Sequence, residues 1–250
     1  MEKAKLLGSY NNRTKLNTWV RYTPLLFLLP IAIELIIFRY IPSFSAIYYS
    51  FTDWDVMGDW KMIGLENYRE LLDDRVFKAT LWNMLTYTTI RTIATLTMAF
   101  IAAELVLSVR DPVIRMYWKI AFVMPMVMPR TVLYMLWGFI YEPQTGMLNQ
   151  ALTAIGLEGL TQAWLGQSST ALAAISIIGF PFVSTLAFLV FITSLEGISR
   201  DLIETSELEG GSVLKRIFVV DLPMLRAPII FIALLVALES MQAVEPQLIL

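Results

Sequence analysis

The chain has 250 residues, 57% of them hydrophobic and 16% charged, against about 45–50% apolar and about 25% charged in soluble domains, so an ordinary soluble domain is excluded. It has no Cys and no His, which removes disulfides, zinc and imidazole-haem sites, and thiol or Ser-His catalysis. A formal net charge of −2 without a basic cluster gives no nucleic-acid signal.

Residues 1–21 form a polar arm with Lys3, Lys5, Arg13, Lys15 and Arg21. The apolar run behind it starts near Tyr22 and no small-residue cleavage site follows, so this run is expected to stay as an anchor rather than be removed as a signal. A helix needs about 20 apolar residues to cross a bilayer core. Five runs meet or approach that length: Tyr22–Ser45, Met84–Ser108, Trp118–Tyr141, Thr170–Leu195 and Ala227 to the end. They are continuous rather than alternating, which argues for helices and against barrel strands. The predicted fold is all-α, a polytopic transmembrane helix bundle. It has the arm at 1–21, a transmembrane domain over 22–250 and a polar loop over 199–226 between the fourth and fifth spans.

Between the first two runs, Asn67, Tyr68 and Leu71 are expected in a short amphipathic helix ending near Asp73 and Asp74. It either covers the tops of the spans or rims a docking face. In the third run Pro125 and Pro129 break helical hydrogen bonds and can kink it, and Trp137 and Tyr141 read as aromatic-belt residues. In the fourth, Gly179 and Pro181 allow close packing or a hinge. That run, Thr170–Leu195, carries no charge and suits lipid or bundle packing.

Ionisable groups in a span cost about 2.5–3.5 kcal/mol each on insertion scales. Glu34, Arg39, Arg91, Glu104, Arg130, Glu239 and Glu245 fall inside spans or at their ends. Arg39 and Glu104 sit near span ends and can snorkel. For Arg91 and Arg130 two readings stand side by side, a polar path for a hydroxylated solute and ion pairing between helices. Glu239 and Glu245 lean to the path. They are six positions apart, about 120° on the helical wheel, so they cannot both face one narrow pore.

The loop 199–226 and the two residues after it read ETSELEGGSVLKRIFVVDLPMLRAP over 204–228. Ser199 and Asp201 suit a helix start, Arg200 and Glu204 are spaced as an i,i+4 pair, and Gly210-Gly211 frees the backbone to turn. Together with the arm and the loop 109–119, this loop brings twelve Lys and Arg residues to one side. The loops 51–83 and 142–169 carry four, all in the first. Basic loops stay in the cytoplasm, which predicts a cytoplasmic N-terminus.

Glu204-Thr205-Ser206, Gly210-Gly211 six residues on and Leu222-Pro223 resemble the EAA loop of the permease subunits of ATP-binding-cassette (ABC) importers. The departures are Thr205-Ser206 for Ala-Ala, Glu209-Gly210-Gly211 for Asp-Gly-Ala and Ile217 for an aromatic. Further stretches are similar to the sugar and glycerol-phosphate branch of that family. They are Ser50-Phe51-Thr52-Asp53-Trp54, Gly64-Leu65-Glu66-Asn67-Tyr68, Leu81-Trp82-Asn83, and the third run with its exit at Gly146-Met147-Leu148-Asn149. The resemblance implies that Glu204, Thr205, Ser206, Gly210, Gly211, Leu222 and Pro223 belong to a coupling helix and its return, which dock on an ATPase subunit. It implies as partners an ABC ATPase dimer, a second permease subunit, an extracytoplasmic solute-binding protein and the bilayer, in a multi-pass protein of the cell membrane. The family usually has six spans, so a sixth is expected beyond Leu250.

The chain has no G-x-x-x-x-G-K-[ST] phosphate loop. ATP is therefore expected to be used by the partner, with no cofactor in this chain and no enzymatic role. Arg91, Arg130, Glu239 and Glu245 are the candidate substrate-path residues. The reading from another class is an ion- or proton-coupled secondary transporter with Arg91, Glu239 and Glu245 as the relay, which a proton gradient alone would drive. A membrane-embedded enzyme is weakened by the missing His and Cys.

Overall fold

Long apolar runs leave helix as the way to satisfy backbone groups, and the computed structural model is predominantly helical over the residues it describes, 18–55, 58, 60–181, 183–208 and 212–243. Among these, β-pairing is limited to an isolated antiparallel bridge between Thr52 and Met62. The chain divides into two units, residues 1–78 and 79–250.

The first unit opens with α1 (Thr18–Leu35), a π-turn (Ile36–Tyr40) and α2 (Ile41–Tyr49), which run on as one apolar helix. The helix starts inside the arm expected for 1–21. Pro42 has no N–H, and its ring crowds the carbonyl four residues back. The π-turn just before it, closed by Ile41 N–H on Ile36 O, is the wider register that relieves this. From Thr23 to Tyr48 the side chains of α1 and α2 are exposed at nearly every position. A helix apolar on all faces belongs in lipid or against another protein.

The following loop folds back on itself. Ile63 N–H donates to Phe51 O at 2.9 Å. The expected short helix is α3 (Glu66–Asp73). Asn67 Nδ2 donates to Ser50 O at 3.0 Å and Thr52 O at 2.8 Å, and the Tyr68 hydroxyl lies 2.6 Å from Ser50 Oγ. Of the two readings of this helix, these contacts favour the first, a clamp on the end of the span. The unit boundary falls within the next helix, α4 (Arg75–Ser108).

The second unit packs small residues of α4 against large ones of α9. Along α4, Ala99, Ala102, Ala103 and Val106 repeat at i, i+3, i+4 and i+7 and are buried. They meet Ala187, Phe188, Phe191, Ile192 and Leu195 of α9 (Thr185–Glu196), with Leu225 and Ile232 closing the cluster. The alanines leave room for the phenyl rings of α9, and Phe100 of α4 meets Phe191 edge-on at 6.5 Å between ring centres. α5 (Pro112–Val123) is N-capped by Asp111, whose Oδ1 accepts from Val113 N at 2.7 Å and Ile114 N at 3.1 Å, with Pro112 at the first position.

The third apolar run is not straight. α5 passes through a 3₁₀ turn (Met124–Val127), and after Pro129 α6 (Arg130–Tyr141) leaves at 91°. The two prolines thus produce a sharp bend. Tyr141 is not an aromatic-belt residue: it is 3% exposed and its hydroxyl donates to Ala174 O at 2.9 Å. Beyond it comes α7 (Met147–Ala154). A Cβ on Gly146 would lie 2.1 Å from Glu142 O, so only glycine fits there. Asn149 is buried and bridges Pro143 O, Gln162 O and Trp164 Nε1.

The fourth run is also broken. α8 (Ser168–Ile177) and α9 are separate short helices, and Gly179 between them has φ +87°. It is therefore not a continuous span, and its second half is the most deeply packed helix of the unit. After α10 (Arg200–Leu208) come α11 (Val213–Arg216), a π-turn (Ile217–Asp221), α12 (Leu222–Met224) and α13 (Arg226–Met241), with a 70° bend before α13. Among the described residues two helices, Thr23–Tyr49 and Arg75–Ser108, are long and apolar enough to cross a membrane, or four if each bent pair counts as one span.

Candidate functional site

Three of the four candidate path residues meet at one cavity of about 190 Å³ in the second unit, lined by Arg91, Arg130 and Glu239 together with Tyr87, Thr95 and Ser240. Glu245, the fourth, lies outside the described residues. α4 supplies Tyr87, Arg91 and Thr95, α6 supplies Arg130 at its first residue, and α13 supplies Glu239 and Ser240 near its end.

Arg91 has a local task. Its Nη1 donates to Ile178 O at 2.6 Å, just past the end of α8, where carbonyls lose their helical donors. Gly179 follows, and a Cβ there would sit 3.7 Å from Arg91 Nη1. The guanidinium therefore supports the chain break between α8 and α9. Arg130 and Glu239 form an ion pair across the cavity wall, and both side chains are half exposed or more. The arrangement offers a cationic and an anionic group, hydroxyls and a phenol around one space. That set can exchange hydrogen bonds with a polyhydroxylated molecule.

The loop residues divide differently. Glu204, Thr205 and Ser206 lie on α10; the first two are exposed and the third is half-buried. The Thr205 hydroxyl turns back to Asp201 O at 2.7 Å, so it does not project as a donor. Ile203 on the other face packs on the core. The result is an anchored short helix with an acidic outer face. Gly210 and Gly211 lie outside the described residues, as does the Arg200 side chain of the expected Arg200–Glu204 pair. Leu222 and Pro223 form the step between the second π-turn and α13, Leu222 half-buried and Pro223 exposed.

Glu104 corrects one expectation. It does not snorkel at the end of its helix but is largely buried, its Oε2 accepting from Arg216 Nη2 at 3.0 Å. Arg216 Nε also donates to Asp221 Oδ2 at 3.0 Å. The partners are 112 positions apart, so no local sequence signal joins them. The buried Glu near a span end and the paired Lys215-Arg216 were the available clues. In the turn after α6, Glu142 accepts from Thr145 N–H, from the Thr145 hydroxyl at 2.9 Å and from Gln144 N–H at 2.9 Å. The Thr145 amide holds its carboxyl below the usual glutamate range. Among the described residues, no group of three or more acidic side chains could hold a metal ion.

No protein-family model matches the chain. Curated relatives do. The probable ABC transporter permease protein YurN of Bacillus subtilis (strain 168) is 36% identical over 205 residues, covering 80% of this chain and 68% of that one. The diacetylchitobiose uptake system permease protein NgcF of Streptomyces coelicolor is 31% identical over 207 residues, covering 79% and 58%. The fold matches a bacterial alginate ABC transporter solved in complex with an alginate pentasaccharide-bound periplasmic protein. The TM-score is 0.73 at 19% identity, over 90% of this chain and 76% of that one. These relationships agree with the all-helical architecture and its apolar spans, and the chain belongs to the permease subunits of ABC transporters, which are membrane proteins and not enzymes.

Proposed function

We propose that the chain forms one half of the translocation path of an ABC importer for a sugar or polyol-like solute. In this reading an extracytoplasmic binding protein delivers the solute, a second permease subunit completes the path, and an ATPase dimer drives it. The chain lies in the cell membrane as a multi-pass protein with its N-terminus cytoplasmic. The apolar runs lie in the bilayer, the third and fourth as broken rather than continuous spans, and α10 is the coupling helix between the fourth and fifth runs.

The observation that carries this reading is α10. It is short and acidic on its outer face, anchored on its inner face by Ile203, and joined directly to the tightly packed α9. Movement of such a knob by a partner reaches α9 and α13 as rigid bodies. Glu204, Thr205, Ser206, Gly210 and Gly211 would make the docking surface, with Leu222 and Pro223 setting the return. ATP would be used by the partner alone. The cavity lined by Arg91, Arg130 and Glu239 supports a solute path, with Glu245 as a further member. The names of the relatives support carbohydrate as the solute class.

Purified permease pair, ATPase and binding protein in proteoliposomes provide the test, with a panel of radiolabelled oligosaccharides. Uptake is expected only with ATP inside and binding protein outside. Uptake driven by an imposed proton gradient without ATP would replace this reading by a secondary transporter with Arg91, Glu239 and Glu245 as its relay.

A further inference from the structure

Away from the cavity, one guanidinium and two carboxyl groups meet. Arg216 forks between Asp221 and Glu104, 3.0 Å to each. The Asp221 side chain is 3% exposed, Glu104 12% and Arg216 26%. The second Glu104 oxygen, Oε1, is buried and without a hydrogen-bond partner, and the carboxyl lies against Asp221 as well as Arg216, so Arg216 is the cation that holds the two acids together.

The fork has a backbone cause. In an α-helix, residues five apart point about 140° apart, and Arg216 could not share a face with Asp221. Between them lies the π-turn Ile217–Asp221, closed by Leu222 N–H on Ile217 O, and this i→i+5 register brings the two side chains to one side. Pro223 stands two residues after the turn, as Pro42 stands two residues after the turn Ile36–Tyr40. In both places the missing N–H and the crowding ring favour the wider register. The Leu222-Pro223 step, read from sequence as part of a docking loop, thus also aims Asp221 at Arg216.

We propose that Arg216 is a positioning residue that carries movement of the segment from α10 to α12 directly into α4. This rests on the proposed docking of α10 on the ATPase. In the chain, α10 connects back to α9 and forward to α13, while α4 is remote. α4 otherwise meets this region through apolar packing, which can slide. A forked, charge-assisted hydrogen bond is directional and does not slide. Glu104 and Arg91 lie thirteen residues apart on α4, about 20 Å along the axis, and the helix has no Pro or Gly between them. A pull at Glu104 therefore reaches the cavity-lining Tyr87, Arg91 and Thr95 as displacement of one rod.

The absence of native Cys permits a switchable test in the reconstituted complex. Arg216→Met, Glu204→Lys and a Glu104→Cys/Arg216→Cys pair are compared for co-purifying ATPase, ATP hydrolysis and solute uptake. Arg216→Met and the unlinked cysteine pair are expected to keep the ATPase bound while solute taken up per ATP hydrolysed falls about tenfold. Joining the two cysteines with a short bifunctional thiol reagent is expected to restore most of that ratio, which a defect of folding would not allow. An unchanged ratio in Arg216→Met, no recovery on linking, or loss of the ATPase from Arg216→Met would each overturn the transmission role. Failure of the docking reading shows separately, as wild-type uptake and coupling in Glu204→Lys.

Discussion

Arg91 and Arg130 have the same two readings in sequence, and the structure gives them different partners. Arg91 is bound to a backbone carbonyl where a helix breaks. Arg130 is paired with Glu239 at the wall of the cavity. The pair joins α6 to α13, and its side chains, 63% and 50% exposed, remain open to a molecule in the cavity. Under the proposed solute path, Glu239→Gln is expected to leave ATPase co-purification unchanged while uptake falls about tenfold, equivalent to ~1.4 kcal/mol. Glu245→Gln is expected to lower uptake less. Uptake and co-purification measured on both variants check this. Disassembly of the Glu239→Gln complex would make Glu239 a structural partner instead.

At the scale of elements, the helical class and the positions of the apolar segments were legible because hydropathy and length report burial in lipid or protein directly. The breaks were harder to read. Pro125 and Pro129 announced a kink, but a proline fixes only local geometry, and the 91° turn depends on what α6 packs against. Within 170–195 the uniform apolar composition hid a gap that Gly179 and Pro181 had marked, since hydropathy does not distinguish one long helix from two short ones. The α4–α9 contact was equally invisible, although its alanine stripe was present in the sequence. This contact gives a stability prediction. Ala103 is fully buried in the same core cluster as Phe188 and Phe191 of α9. Ala103→Leu would overpack the seam and is expected to destabilise by about 1–3 kcal/mol. Leu105→Ala, two residues on and 62% exposed, is expected to change stability by less than about 0.5 kcal/mol. Thermal unfolding of the two purified variants in the same detergent measures the difference, and equal shifts would mean that α9 does not pack tightly on this face.

For the whole molecule, the sequence carried the family through the Glu204 loop, because spacing along one chain segment is a one-dimensional property. The cavity and the Arg216 fork join residues from α4, α6, α11 and α13, and only folding brings those together. Sidedness is again one-dimensional, since it follows from where Lys and Arg fall between the apolar runs. Twelve basic residues on one set of segments against four on the other favours keeping the first set in the cytoplasm. The ATPase partner can reach α10 only if that sidedness holds, so topology and coupling stand together. With no native Cys, single cysteines report sidedness without background. Lys3→Cys in the arm and Lys215→Cys on α11 are expected to resist an impermeant thiol reagent in intact cells and to label after permeabilisation. Glu66→Cys at the start of α3 is expected to label in intact cells. Labelling of Lys215→Cys from outside would reverse the orientation, put α10 on the side that lacks ATP, and remove the basis for its docking role.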